Sequence, residues 1–218
     1  MRIVVFVGPS VERDVLERIL PDADFLPPIE RGDIDRLLAE PVAPDVIGVV
    51  DGKFLHAMSI SPKEILKALA RDIPVFGSSS MGALRAAELD LYGMTGVGKI
   101  YASYASGALD ADDEVAITFD PESLRALCVP MVNIRTSVEE LRESGRITAG
   151  EASDVLDTAK SMYFPERSHS NIRLALRRDG WSAERAAEVQ ELLEGSTDQK
   201  RADAIELANR IRDLAAAS

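Results

Sequence analysis

Gly77-Ser78-Ser79-Ser80-Met81-Gly82 sets three hydroxyls among small residues, between an apolar run and a helical pattern. Within it, Ser78-x-Ser80-x-Gly82 has the small-x-nucleophile-x-small spacing of a nucleophile elbow, whose small neighbours permit a sharp turn that exposes the central side chain. On that reading Ser80 is the nucleophile. Met81 N–H, in the first turn of the following helix, receives an oxyanion with the positive end of the helix dipole behind it. The same residues fit two quieter roles. Ser80 is a preferred N-cap type for a helix over 81–90, and a serine-rich turn at a helix start cradles a phosphate or carboxylate without chemistry. Residue types alone leave the three readings open.

Other candidates cluster around that turn in the sequence pattern. Arg85 follows Met81 by four residues, on the same helix face, within reach of an anion at the helix start, while Glu88 is spaced to hold Arg85 in an ion pair. Two further apolar runs end in Gly8-Pro9-Ser10 and Asp51-Gly52-Lys53. In an open parallel sheet ligands bind beyond such strand ends, so Gly8, Pro9, Ser10, Gly52, Lys53, Gly77, Ser78, Met81 and Gly82 are candidate substrate contacts. Asp51, with Ser79 and Ser80, is placed to hold a water, which is the alternative nucleophile to a serine hydroxyl. His56, one of two histidines, follows the second run and is the candidate general base; His169 has no motif around it. Tyr101 belongs to a glycine-rich stretch, YGMTGVGKIYASYASG, which reads as a mobile loop contacting ligand or partner. Its Gly96-Val97-Gly98 lacks the rest of a dinucleotide fingerprint. Asp110, Asp112, Asp113 and Glu114 form an acidic cluster suited to chelating Mg²⁺, to orienting Arg85 or Lys53, or to a solvated loop. The single cysteine, Cys128, sits in LRALCVPMV, which reads as an apolar helix and a buried structural thiol. No Cys/His zinc site is expected.

The elements that must position these residues are legible from periodicity. Ile3 to Val7, Val46 to Val50 and Ile73 to Phe76 are short, β-branched and apolar, as parallel strands buried on both faces are. Each is followed by a helical pattern, which is the signature of repeated βαβ units. Shorter strands are expected at Asp24 to Leu26 and at Glu114 to Phe119. Ser61-Pro62-Lys63-Glu64 combines an N-cap, a first-turn proline and a capping-box glutamate, and Asp120-Pro121-Glu122 repeats the cap-and-proline signal. Helices are then expected over 121–145, 148–162, 168–178, 182–194 and 198–215. Thr148 with Glu151 forms another capping box, Ser182 is a further cap, and Gly145, Gly180 and Gly195 mark helix ends. The expected class is α/β, a Rossmann-like parallel sheet of four to five strands over residues 1–120, followed by an all-helical region, 121–218.

With 25 basic against 37 acidic side chains, the chain carries a net −12, and no general basic surface exists to neutralise nucleic-acid phosphates. Residues 1–120 hold 11 basic and 20 acidic side chains, net −9, and residues 121–218 hold 14 and 17, net −3. The apolar run after Arg2 is too short for a signal peptide, and no run approaches the roughly 20 apolar residues of a bilayer span. The expected location is the cytoplasm, with no membrane contact, and a homo-oligomer is open.

The block GSSSMGALRAAELDLYGMTGVGKIYASYASGALDADDEV, with the upstream DGKF, PKEIL and VVFVGPS, resembles the TfuA-like family over about residues 1–120, in the right order. The resemblance implies partnership with a YcaO-type enzyme, which uses ATP to activate backbone amides, and a role in thioamidation of a precursor peptide or substrate protein. It further implies release of sulfide from the thiocarboxylated C-terminus of a ubiquitin-like sulfur-carrier protein and support of peptide binding by the YcaO partner; no cofactor is expected. Where many relatives carry a histidine at the cap of the PKEIL helix, this chain has Ser61-Pro62, so the base would be His56, an acid or bound water. A thiocarboxylate is an anion and a poor electrophile, and its charge must be neutralised before attack. A helix N-terminus with Arg85 and Lys53 suits that need. The competing reading is a non-catalytic adaptor that grips the carrier tail or peptide and docks on YcaO; a nucleotide- or phosphate-binding module is a third.

Overall fold

The computed structural model describes residues 1–54 and 58–217. Its sheet has five strands among the described residues, β1 (Ile3–Phe6), β2 (Asp24–Leu26), β3 (Val46–Val49), β4 (Val75–Ser78) and β5 (Thr95–Val97), in the order β2-β1-β3-β4-β5. Every pairing is parallel, with Val5 opposite both Phe25 and Gly48, and Gly77 opposite both Val49 and Gly96. The chain order reverses between β1 and β3, which makes the space beyond their carboxyl ends the topological switch point where ligands of such sheets bind. The α/β class expected from the sequence is therefore the observed one.

Between the strands run α1 (Arg13–Ile19), α2 (Asp33–Ala39), α3 (Pro62–Leu69), α4 (Met81–Leu89) and α5 (Gly98–Ala105). The Ser61 box forms as expected: Ser61 Oγ accepts from Lys63 N–H, and Glu64 accepts from Ser61 N–H. Buried Glu64 also accepts from Gly32 N–H at 2.7 Å, which fastens the start of α2 to α3. After α5 come α6 (Met131–Glu143), α7 (Ala149–Ser161), α8 (His169–Arg178), α9 (Ala183–Glu194) and α10 (Gln199–Ala217). Thr148, Ser168 and Ser182 cap α7, α8 and α9 through their side chains.

The chain forms two compact units, residues 1–110 with 200–218, and residues 111–199. The division differs from one at 120/121, because α10 joins the sheet: Ala204, Leu207, Ala208 and Ile211 are fully buried in one cluster with Ile3, Val5, Val46, Val50 and Leu16. Gly48 is the strand residue that lets α10 approach, since a Cβ there would meet Leu207 and Ile211 at 2.9–3.2 Å. The helical unit has its own core of Met131, Ile134, Val138, Val155, Ile172 and Val189.

Three expected elements are different. The glycine-rich stretch read as a mobile loop is β5 followed by α5, with Gly98 at φ +92° turning one into the other. No strand runs from Glu114 to Phe119; Asp112–Glu114 is a turn of 3-10 helix. Asp120 does not start a helix. Its carboxylate accepts from Glu122 and Ser123 N–H, closing a turn that pairs Phe119 with Ala126, and α6 begins only at Met131. Cys128 accordingly lies outside a helix, though it is buried as expected, its sulfur 3.2 Å from Thr118 N–H.

Candidate functional site

At the carboxyl end of β4 the chain turns into α4 through a strained bend. Ser79 has φ +64°, and Ser80 N–H donates to Ser78 carbonyl at 2.8 Å. A bond spanning two residues around a positive φ is a γ-turn of the rare hand, and a non-glycine residue there costs roughly 1–2 kcal/mol. The strain is forced by crowding: a Cβ on Gly77 would strike Gly82 carbonyl, and one on Gly82 would strike Val49 carbonyl. The helix thus lies directly on the strands, and only a sharp turn connects them.

This turn carries unsatisfied chemistry. Ser78 and Ser79 are fully buried and neither hydroxyl has a hydrogen-bond partner among the described residues. Ser80 holds the N-cap position of α4 but makes no capping hydrogen bond with its side chain, so the plain-cap role is not the one it fills. It retains 3% of its surface against 0% for its two neighbours. Met81 N–H has no acceptor among the described residues, while Gly82 N–H is taken by Val50 carbonyl at 3.2 Å. A hydroxyl that does not cap and an amide with no acceptor among the described residues therefore stand at the start of one helix.

The other two strand ends are tied to each other, and the second of them touches this turn. Asp51, 2% exposed, accepts from Gly8 N–H at 2.9 Å, Ser10 N–H at 3.1 Å and Ser10 Oγ at 2.5 Å. It thus clamps the loop after β1 to the loop after β3. Gly52 lies against Met81, and a Cβ on it would come within 2.9 Å of that side chain and of Ile29. Gly8 is equally tight against Pro28. Half-buried Pro9 completes the first loop.

The expected cations are less free than the sequence suggested. Arg85 donates from Nε to Ile60 carbonyl at 3.1 Å and from Nη1 to both oxygens of Glu88 at 2.7 Å. Lys53 Nζ is 2.6 Å from Glu30, whose carboxyl this lysine holds below the usual range. Glu88 holds Arg85 as its spacing suggested, whereas Ile60 and Glu30 were not found from the pattern: Ile60 contributes a backbone atom, and Glu30 is distant in sequence with no motif. Tyr101 covers Gly96 and bonds Asp90, and burial first, then Asp90, raise its hydroxyl pKa. His56 lies outside the described residues.

Asp113 and Glu114 of the acidic cluster pair with cations of the helical unit and not with Arg85 or Lys53. No group of His, Cys, Asp and Glu among the described residues is arranged to hold a metal ion. Glu114, almost fully buried, takes Arg135 bidentately at 2.8 and 3.0 Å and Lys160 at 2.9 Å, and Asp113 takes Lys160 and Arg167. Burial pushes the Glu114 carboxyl up, but Arg135 and Lys160 together outweigh it and hold it low. These residues brace the helical unit.

The family described as TfuA-like protein matches residues 51–168. The stretch starts at the buried aspartate of the switch point, contains the whole serine turn and ends at the cap of α8. The chain belongs to the TfuA-like family. Membership associates it with YcaO-type enzymes and backbone thioamidation. No curated protein matches the chain. Among the described residues no helix is long and apolar enough to cross a membrane. The family stretch also covers β5, α5 and the Glu114–Arg135–Lys160 network, so much of what is diagnostic in the sequence specifies architecture.

Proposed function

We propose that this TfuA-like protein hydrolyses the C-terminal thiocarboxylate of a ubiquitin-like sulfur carrier and releases sulfide for a YcaO-type partner that thioamidates a peptide or protein, aiding its peptide binding. The observation that carries the reading is the γ-turn at Ser79, which spends folding energy to set an uncapped Ser80 hydroxyl beside the unpaired Met81 amide at a helix start. Strain of this kind is retained where a turn does chemistry.

In the proposed reaction the carrier's extended tail lies over the switch point, its end at the start of α4. Ser80 Oγ attacks the thiocarboxylate carbon, and Met81 N–H, with the helix dipole, stabilises the oxygen of the tetrahedral intermediate. The carbon–sulfur bond then breaks. Hydrosulfide leaves, carrying the serine proton on sulfur, and little acid catalysis is required because it is a far better leaving group than an amine. Water hydrolyses the resulting serine ester, returning the hydroxyl and a carrier carboxylate. Arg85 neutralises the substrate anion by exchanging Glu88 for the tail, and Lys53 does the same by releasing Glu30. Asp51 acts through the loops it clamps, holding Gly8 and Ser10 to the loop whose Gly52 lies against Met81.

The test is mass spectrometry of a thiocarboxylated carrier incubated with this protein alone. Conversion of the terminal thiocarboxylate to carboxylate supports the reading. A carrier left intact while the protein tightens peptide binding by the YcaO enzyme would replace it with the adaptor.

A further inference from the structure

The helical unit, residues 111–199, has ten basic and eighteen acidic side chains, a net −8. In that acidic setting Arg173, Arg177 and Arg178 lie together on α8, and none makes an ion pair among the described residues. They surround Leu174, which is 54% exposed. Two shallow grooves share this ridge. One, of about 450 Å³, is lined by Arg173, Leu174, Arg177, Arg178 and Ala183; the other, of about 500 Å³, by Met162, Glu166, Asn171, Leu174 and Arg178. The negative end of the α8 dipole accounts for Arg177 and Arg178 in the last turn. It accounts neither for Arg173, a turn earlier, nor for the exposed leucine.

We propose that this face of α8 docks an acidic segment of a partner protein, its carboxylates paired with the three arginines and an apolar side chain resting on Leu174 in the grooves. Arginine is the cation suited to the task, because its planar fork pairs carboxylates bidentately and sheds water readily. Free arginines around an apolar centre are the composition of an interface rather than of a solvated face. Nucleic acid is disfavoured by the negative charge of the rest of the unit. The docking stands independently of the hydrolytic reading, since it involves none of the residues around the serine turn.

The experiment uses the full chain and a short fluorescent peptide of Asp and Glu with two leucines, read by anisotropy at low and physiological salt. A lysine peptide of equal length and a single-stranded RNA serve as controls. The acidic peptide binds, more weakly as salt rises, and its affinity falls about tenfold or more in R173E/R177E/R178E and in the neutral R173Q/R177Q/R178Q. Leu174→Ala costs a smaller factor, and sulfide release is unchanged in every variant. Absence of binding at low salt, binding by the triple variants as tight as by wild type, or preference for the RNA overturns the proposal. So does a wild-type dimer in sedimentation that the triple variants dissociate, which would assign the face to a second copy of the chain.

Discussion

At the scale of single residues the serine turn separates conformational strain from chemistry. Ser79 bears the positive φ and a buried, unpartnered hydroxyl, and both are unfavourable to the fold. Ser79→Gly relieves both and is expected to raise stability by about 1 kcal/mol, measured by denaturant unfolding, with sulfide release largely retained. Gly82→Ala does the reverse. Its methyl group would meet Val49 carbonyl, and a loss of about 2 kcal/mol or more is expected in the same measurement. Asp51→Asn keeps an oxygen for Gly8 and Ser10 N–H and turns its NH₂ to Ser10 Oγ, which then accepts, so the expected cost is the lost charge assistance, roughly 1–2 kcal/mol. If Asp51 acts only as a clamp, the surviving folded Asp51→Asn protein keeps an unchanged pH profile for sulfide release, whereas a base would shift it.

At the scale of elements, caps with a local partner were readable from sequence and caps with a distant partner were not. Ser61 with Glu64 and Thr148 with Glu151 each satisfy the helix start within four residues, so the spacing suffices to find them. The start of α5 is instead satisfied by Asp203, which accepts from Lys99 and Ile100 N–H at 3.1 and 2.8 Å. No spacing rule connects residues so far apart, and the same glycines that admit this contact made β5 read as a loop. Asp120-Pro121-Glu122 failed for the opposite reason, because an Asx turn uses the same side-chain-to-backbone bonds as an N-cap. The Thr148 box also gives a pH dependence. Arg185 first, then the Thr148 backbone, hold the Glu151 carboxyl down at about 2. A folded value below the unfolded one means that this stabilisation is complete above about pH 4.5 and disappears as pH falls toward 2. Thermal midpoints of Glu151→Gln are therefore expected to lie below wild type at pH 7 and to converge with it near pH 2.

At the scale of the whole chain, the strand ends that build the site were visible in the sequence, and the grouping of the elements was not. Buried parallel strands announce themselves by composition, and the loops after them follow from topology. Helix α10 looks like the last of five amphipathic stretches, and only the cluster of Ala204, Leu207, Ala208 and Ile211 against the sheet shows where it belongs. This regrouping moves the charge. The unit of residues 111–199 has a net −8 and the α/β unit a net −4, although the first 120 residues carry −9. The site therefore sits on the less acidic unit, which suits an anionic tail. Deleting residues 199–218 uncovers the sheet face around Val5 and Gly48, and the truncated protein is expected to aggregate, as light scattering would show. The most direct test of the central claim is the initial rate of sulfide release from a thiocarboxylated carrier by wild type and by Ser80→Ala, each checked to be folded. The account predicts a loss on the order of 10³-fold in the variant; release at the wild-type rate would contradict it.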